Sequence, residues 1–186
     1  MKQARLQWRR RVQLVSPNRF VFLDESSAKT NMKRLYGWAS NGVRLVDAIP
    51  EGHWKTTTMV SAIRSTGVAT AMTIDGAIDG LVFRGFTEHF LIPVLHQGEI
   101  VVMGNLPSHK VKGVVDMIED VGAEVWYLPP DSPDFNPIEQ MWSKVKSVLR
   151  SLARRTPKSL NTAIGNALTQ VTESECKNYF AHCGYA

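Results

Sequence analysis

Two carboxylates stand where a folded chain can use them for chemistry. Asp24 follows the apolar run Phe20 to Leu23, which predicts a buried strand, and Glu139 lies at the start of a predicted helix. Gly104 ends a second short apolar run, Ile100 to Met103. Active sites in open sheets gather at strand ends. Asp24 and Glu139 are therefore candidate active-site residues.

Each carboxylate also has a purely structural interpretation. Asp24 can be an ordinary turn acid after a strand. Glu139 is the third helical residue after Asn136 at the cap and Pro137 at the first position, so it can complete a capping box. The residues by themselves leave both interpretations open.

The elements that would position these side chains indicate one mixed α/β domain. Asn41-Gly42 lies between the apolar runs Tyr36–Ala39 and Val43–Ile49, which predicts a β-hairpin. Strands followed by alternating strands and helices indicate a mixed sheet with helices packed on it. Further strands are predicted at 56–63, 69–74, 100–103 and 124–128, and helices at 79–95, 107–118, 136–152, 157–171 and 173–182.

Composition limits the classes of protein. The 186 residues, 44% hydrophobic and 21% charged, suffice for one sizeable core. Neither a signal peptide nor an apolar run of about 20 residues is visible, so we expect a soluble, cytoplasmic protein. Cys176 and Cys183 are expected to be reduced thiols in ordinary packing; with His182 they lack the four good ligands of a metal site.

The net charge of +5 is unevenly distributed. The first eleven residues contain five basic side chains and no acid, which fits either a polyanion partner or a solvated tail. A second basic stretch, residues 134–158, is a plausible nucleic-acid face. The candidate phosphate contacts are His109 and Lys110 near a helix start, where the alternative is a solvated helix end, and Lys144, Lys146, Arg150, Arg154 and Arg155.

Three sequence blocks resemble a known family. Phe22-Leu-Asp-Glu25, Val101-Val-Met-Gly-Asn-Leu-Pro-Ser-His-Lys110 and Tyr127-Leu-Pro-Pro-Asp-Ser-Pro-Asp-Phe-Asn-Pro-Ile-Glu139 resemble the signature blocks of mariner-like DDE transposases of bacterial insertion sequences. They occur in family order, with 34 residues between Gly104 and Glu139. Weaker similarity at Trp54–Thr58 and Ile74–Gly76 extends the resemblance over roughly residues 18 to 150.

The resemblance implies a fold, a reaction and a site. The fold would be ribonuclease-H-like, a mixed five-stranded sheet with flanking helices. The reaction would be DNA cleavage and strand transfer assisted by two Mg²⁺ or Mn²⁺ ions, with Asp24 bridging both ions and Glu139 holding one. The family's second aspartate is replaced by Gly104, which has no side-chain ligand, and neighbouring Asn105 is expected to point elsewhere. We therefore expect impaired catalysis.

The resemblance also implies partners and a domain organisation. We expect residues 17–186 to be the catalytic domain and residues 1–16 to be a basic linker or the remnant of an amino-terminal DNA-binding region. The expected partner is double-stranded DNA, namely transposon inverted-repeat ends and a TA target in a bacterial nucleoid, bound by a homodimer or with a partner chain that carries helix-turn-helix modules. The alternative is a non-catalytic DNA-binding or assembly protein derived from a transposase. Asp131 is a second departure from the family and adds a negative charge before Glu139.

Overall fold

A five-stranded sheet forms the centre of the computed structural model, which describes residues 2–48 and 51–185. The strands are β1 (Phe20–Lys29), β2 (Thr56–Arg64), β3 (Gly67–Asp75), β4 (Ile100–Met103) and β5 (Glu124–Tyr127). Their order is β3-β2-β1-β4-β5; the pairs β1/β2 and β2/β3 are antiparallel, and β4 is parallel to both β1 and β5. The predicted mixed sheet is confirmed.

Helices cover both faces of this sheet. The described residues form α1 (Lys2–Val12), α2 (Gly80–Phe86), α3 (Val114–Asp120), α4 (Pro137–Leu152), α5 (Pro157–Thr169) and α6 (Glu173–His182). Within this part of the chain, none of the helices is long and apolar enough to cross a membrane. Cys176 and Cys183 are buried free thiols, as expected from their ordinary packing.

The central strand β1 shows why the core has two halves. Successive side chains of a strand point to opposite faces. Phe20 and Phe22 accordingly pack in the half of the core that α1, α4, α5 and α6 cover. Val21 and Leu23 pack in the other half, beneath α2 and α3. Helix α4 contributes the predicted apolar stripe, Ile138, Met141, Trp142, Val145 and Leu149, all buried.

Asp24 does not close its strand as predicted. β1 continues to Lys29, because β2 pairs with it from Phe22↔Ile63 to Lys29↔Thr56. The parallel pairing with β4, however, stops at Leu23↔Met103. Asp24 and Gly104 are the residues that follow this last pair. The strand end that matters for Asp24 is therefore the end of its neighbour β4.

The predicted hairpin over residues 36–49 is wrong as far as the structure describes it; Ile49 lies outside the described residues. The turn itself forms, with Val43 N–H donating to the Ser40 carbonyl (2.9 Å) and Gly42 at φ +82°. The flanking residues are not strands, and Tyr36 and Trp38 are 88% and 100% exposed. A two-stranded hairpin is marginally stable in water unless one face packs on another element. Residues 36–48 are exposed, so no other described part of the chain covers them.

Two predicted helices are interrupted. The helix expected from Pro107 becomes a 3₁₀ turn, Pro107–Lys110, separated from α3 by Gly113 in the left-handed conformation (φ +88°). The helix expected over residues 79–95 begins as α2 and then changes to a π-turn and a 3₁₀ turn. Both changes lie on the face of the sheet where α2 and α3 pack.

Helix α1 packs against the segment that leads into α4. Arg5 donates to Ser132 Oγ (2.8 Å) and to both carboxylate oxygens of Asp134, and its guanidinium lies 4.4 Å from the centroid of the Phe135 ring. Trp8 Nε1 donates to the Tyr185 hydroxyl (2.9 Å), which donates to the Phe135 carbonyl (2.7 Å). Helix α1 and Tyr185, the last described residue, thus both contact the turn that precedes α4.

Removing the buried hydroxyl of Tyr185 should destabilise the fold. In Tyr185→Phe, the Trp8 indole N–H and the Phe135 carbonyl both lose their partner, which costs about 1–3 kcal/mol for a buried polar group. Urea unfolding would measure the loss. Tyr179→Phe, which removes a hydroxyl from a half-buried ring, is the matched control and should change stability much less. Equal effects of the two substitutions would contradict this role of Tyr185.

Candidate functional site

The two predicted carboxylates, together with Gly104, line one cleft. It lies at the end of β4 beside the start of α4 and encloses about 380 Å³. Its walls come from the end of β1/β4 pairing, the proline-rich loop and the first turn of α4. The lining residues are Asp24, Gly104, Asn105, Leu106, Leu128, Pro129, Pro130, Asp131, Ser132, Pro133, Asn136 and Glu139.

Asp24 is held by two hydrogen bonds. Its Oδ1 accepts the backbone N–H of Glu25 (2.9 Å), and its Oδ2 accepts Nδ2 of Asn136 (2.9 Å). Burial raises the pKa of Asp24 to about 7, against the lowering effect of the Glu25 N–H, and the negative charges of Glu139 and Glu25 raise it further. The two hydrogen bonds thus fix the orientation of the carboxylate, and burial makes it easier to protonate than an exposed aspartate.

Glu139 does not form the capping box that was its structural alternative. Asn136 is the N-cap residue of α4 and Pro137 follows it, but no side chain caps this helix. Glu139 is exposed in the first turn, where the helix dipole favours a negative charge. The structural explanation by capping is therefore removed, and the carboxylate is available to the cleft.

Asn136 is the cleft residue that the sequence analysis missed. Its position before Pro137 indicates a helix cap, but its amide donates to Asp24 instead. The side chain is 5% exposed, and its Oδ1 has no hydrogen-bond partner within the described residues. The spacing of Asn136 and Glu139 gave no sign of this contact, because it joins residues 112 positions apart.

Gly104 leaves its place in the cleft without a ligand. A Cβ built at this position would meet only the His109 ring, with Cε1 at 3.7 Å and Nδ1 at 3.8 Å, which is ordinary van der Waals contact. Asn105, the next residue, also lines the cleft, and its Nδ2 donates to the Leu128 carbonyl. That Asn105 does not replace the missing ligand stays a prediction.

His109 is a structural bridge rather than an exposed phosphate contact. Its ring is fully buried and packs against the Phe83 ring, with centroids 4.7 Å apart and planes tilted by 30°. Nδ1 lies 2.9 Å from the Gly104 carbonyl oxygen and Nε2 lies 2.7 Å from Glu25 Oε2. Burial opposes protonation, but the Glu25 hydrogen bond and charge outweigh it and raise the pKa of His109. Both ring nitrogens are therefore engaged inside the protein.

The donor set of the cleft suits one hard divalent ion. Asp24 and Glu139 supply carboxylate oxygens, and Mg²⁺ commonly binds through one or two carboxylates and several waters. Across residues 2–48 and 51–185, no three His, Cys, Asp or Glu side chains converge to form a metal-binding group. Asp131, in the left-handed conformation at φ 50°, places its exposed side chain at the cleft wall.

The remaining predicted phosphate contacts fall into two groups. Lys144 donates to Glu175 and to the Gln170 carbonyl, and Arg155 donates to the Thr30 and Met32 carbonyls, so these two cations are engaged within the fold. The other four are at least partly exposed. They are Lys110, Lys146, Arg150 and Arg154.

Solved structures share this fold. A pre-cleavage Mos1 transpososome is 17% identical with a TM-score of 0.80, and covers 97% of this chain and 57% of that chain. A Mos1 mariner paired end complex with Mn is 18% identical with a TM-score of 0.80, covering 98% and 58%. The catalytic domain of Mos1 mariner transposase is 15% identical with a TM-score of 0.70, covering 98% and 86%. The present chain thus spans less than two thirds of the chains in the first two structures.

These similarities confirm the expected ribonuclease-H-like fold. A search of the curated proteins gave no match. The sequence profile described as DDE superfamily endonuclease matches residues 19–162, which include Asp24, Gly104 and Glu139. Because that match covers more than half of the sequence, the chain belongs to the DDE superfamily of endonucleases.

Proposed function

We propose that this chain is the catalytic domain of a mariner-like transposase of a bacterial insertion sequence, and that its catalysis is impaired. The observation that carries the proposal is the cleft in which Asp24 and Glu139 lie together with Gly104. Phosphodiester cleavage and strand transfer are in-line displacements that need carboxylate-held divalent ions. Two of the expected carboxylates are in place and the third is absent.

Asp24 and Glu139 would hold a Mg²⁺ or Mn²⁺ ion in this cleft. Such an ion neutralises charge on the phosphate and lowers the pKa of a bound water or hydroxyl. The chain's own contribution is orientation: the Glu25 N–H and the Asn136 amide each fix one oxygen of Asp24. The rigid turn before α4 fixes the start of the helix that bears Glu139. Two ions remain the expectation for a family site with all three carboxylates.

The proposed partner is double-stranded DNA, entering along the exposed side of α4. Lys146 and Arg150 are one helical turn apart on this helix, away from its buried stripe, and Arg154 follows. Lys110 lies near the cleft, with its Nζ 5.5 Å from the centroid of the Tyr127 ring. Contacts of this kind bind phosphate and supply affinity without sequence choice.

Removing one of these charges should weaken DNA binding and its salt dependence. For Lys146→Gln or Arg150→Gln, the slope of log affinity against log salt should fall by about one per lost phosphate contact. Fluorescence anisotropy with a duplex of arbitrary sequence would measure it at several NaCl concentrations. Lys177→Gln on α6, where the lysine pairs with Glu173, is the control and should leave the slope unchanged. A slope unaffected by all three substitutions would place the DNA elsewhere.

The rest of the organisation is also part of the proposal. Residues 1–16, whose α1 packs on the fold, would connect the catalytic domain to helix-turn-helix modules on this or a partner chain. Those modules would choose the transposon inverted-repeat ends, with a TA target and a homodimeric assembly on the bacterial nucleoid. The basic side chains Lys2, Arg9 and Arg10 remain exposed on α1 for such a partner.

A second candidate function is supported by Gly104 itself: a non-catalytic DNA-binding or assembly protein derived from a transposase. Both candidates predict salt-sensitive DNA binding. Nicking of supercoiled plasmid in Mg²⁺ or Mn²⁺ by Gly104→Asp separates them, because an impaired catalytic domain should regain cleavage with the third carboxylate and a non-catalytic protein should not. Absence of DNA binding at low salt would contradict both candidates.

A further inference from the structure

Asn136 occupies a helix-capping position without capping the helix. Its backbone has the extended conformation of an N-cap residue (φ −111°, ψ 95°). Asn at this position ordinarily accepts a hydrogen bond from a backbone N–H of the first turn. Here the side chain turns to Asp24, and the cap bond is not made.

This arrangement lowers the stability of the fold in two ways. The first turn of α4 lacks its side-chain cap, and the buried Oδ1 of Asn136 has no partner within residues 2–48 and 51–185. A serine at the same position would satisfy the helix end and leave no amide oxygen buried. Residues that lower local stability in this way are concentrated at functional sites, where function rather than stability determines which residue is present.

The hydrogen bond to Asp24 explains why an asparagine is present at this position. Asp24 has one hydrogen bond on each carboxylate oxygen, from the Glu25 N–H and from Asn136 Nδ2. Each oxygen keeps a lone pair free for another ligand. Because Asn136 begins the helix on which Glu139 lies one turn later, the same bond fastens the start of α4 to β1. One amide thus orients the first carboxylate and ties it to the element that bears the second.

We propose that Asn136 is a positioning residue that holds Asp24 in the orientation needed to bind a divalent ion together with Glu139. This inference rests on the proposed function of the cleft. It assigns a role in metal binding to a residue that bears no charge.

The test compares Asn136→Ser with the unsubstituted chain. Mn²⁺ affinity, followed by electron paramagnetic resonance of free Mn²⁺, should fall by about tenfold or more, as for other residues that orient metal ligands. The melting temperature should be unchanged or higher, because serine restores the helix cap. The same two measurements are repeated in the Gly104→Asp background, where a higher Mn²⁺ affinity makes a tenfold loss easier to measure. Asn166→Ser, at an exposed position of α5 outside the cleft, is the matched control and should keep the Mn²⁺ affinity.

The inference is overturned if Asn136→Ser binds Mn²⁺ as well as the unsubstituted chain. It is equally overturned if affinity falls only alongside a large drop in melting temperature, since the residue would then be structural. Absence of Mn²⁺ binding both in the unsubstituted chain and in Gly104→Asp would instead contradict the proposed function. In that case the nuclear magnetic resonance signals of the Asn136 side-chain amide decide whether it orients Asp24: they should shift in Asp24→Asn, and unshifted signals would exclude the contact in solution.

Discussion

Gly104→Asp is expected to raise the affinity of the cleft for Mn²⁺ by at least about tenfold, which corresponds to about 1.4 kcal/mol. The added carboxylate would face the same cleft as Asp24 and Glu139 and supply the missing hard oxygen ligand. The backbone permits the change: Gly104 has no positive φ, and a Cβ there meets only the His109 ring at van der Waals distance. We expect metal-dependent nicking of plasmid DNA to rise with the affinity, because the ion positions the displacement at phosphorus.

Gly104→Asn is the matched control for this prediction. It has nearly the same shape but lacks the negative charge, so a gain confined to the aspartate identifies metal coordination as the cause. Equal gains from the two substitutions would indicate that extra packing against His109 is responsible. Robust cleavage by the chain as written would contradict the impairment altogether and show that the two carboxylates suffice.

Local patterns predicted most of the fold because they coincide with its layers. β4 is a continuous apolar run because both of its faces are buried, and the α4 stripe repeats at helical spacing because one side of the helix packs on the sheet. The hairpin prediction over residues 36–49 used an equally strong local signal, Asn41-Gly42, and only the turn formed. The turn sequence determines the local reversal of the chain. Whether the flanking residues form strands depends on whether one face of the hairpin packs against the rest of the protein.

The candidate site was predictable only where one residue carries its own chemistry. Asp24 and Glu139 were predicted from residue type and position, and both line one cleft. The contact of Asn136 with Asp24 joins residues 112 positions apart, and that of His109 with Glu25 joins residues 84 positions apart. Such contacts are created by the sheet order, so no spacing in the sequence indicates them.

Asp24 is expected to contribute stability that is lost as the pH rises from about 4 to about 7. Burial raises the pKa of Asp24 to about 7, whereas an exposed aspartate in the unfolded chain titrates near 3.9. The folded state therefore binds the proton more tightly than the unfolded state. The corresponding stability is fully present below about pH 4 and is lost as the pH rises through about 7.

Asp24→Asn isolates this contribution. At about 1.4 kcal/mol per pH unit, the stability of the variant relative to the original chain should increase by roughly 2–3 kcal/mol between about pH 5 and pH 8. Urea unfolding of both chains across this range measures the difference. Any hydrogen bond lost to the asparagine is independent of pH and cancels in the comparison. Parallel stability curves for the two chains would show that Asp24 is not the buried titrating group. If Mn²⁺ removes the stability difference between the two chains above about pH 7, the ionised form of Asp24 is the one that binds metal. The reason is that a ligand stabilises the state that binds it.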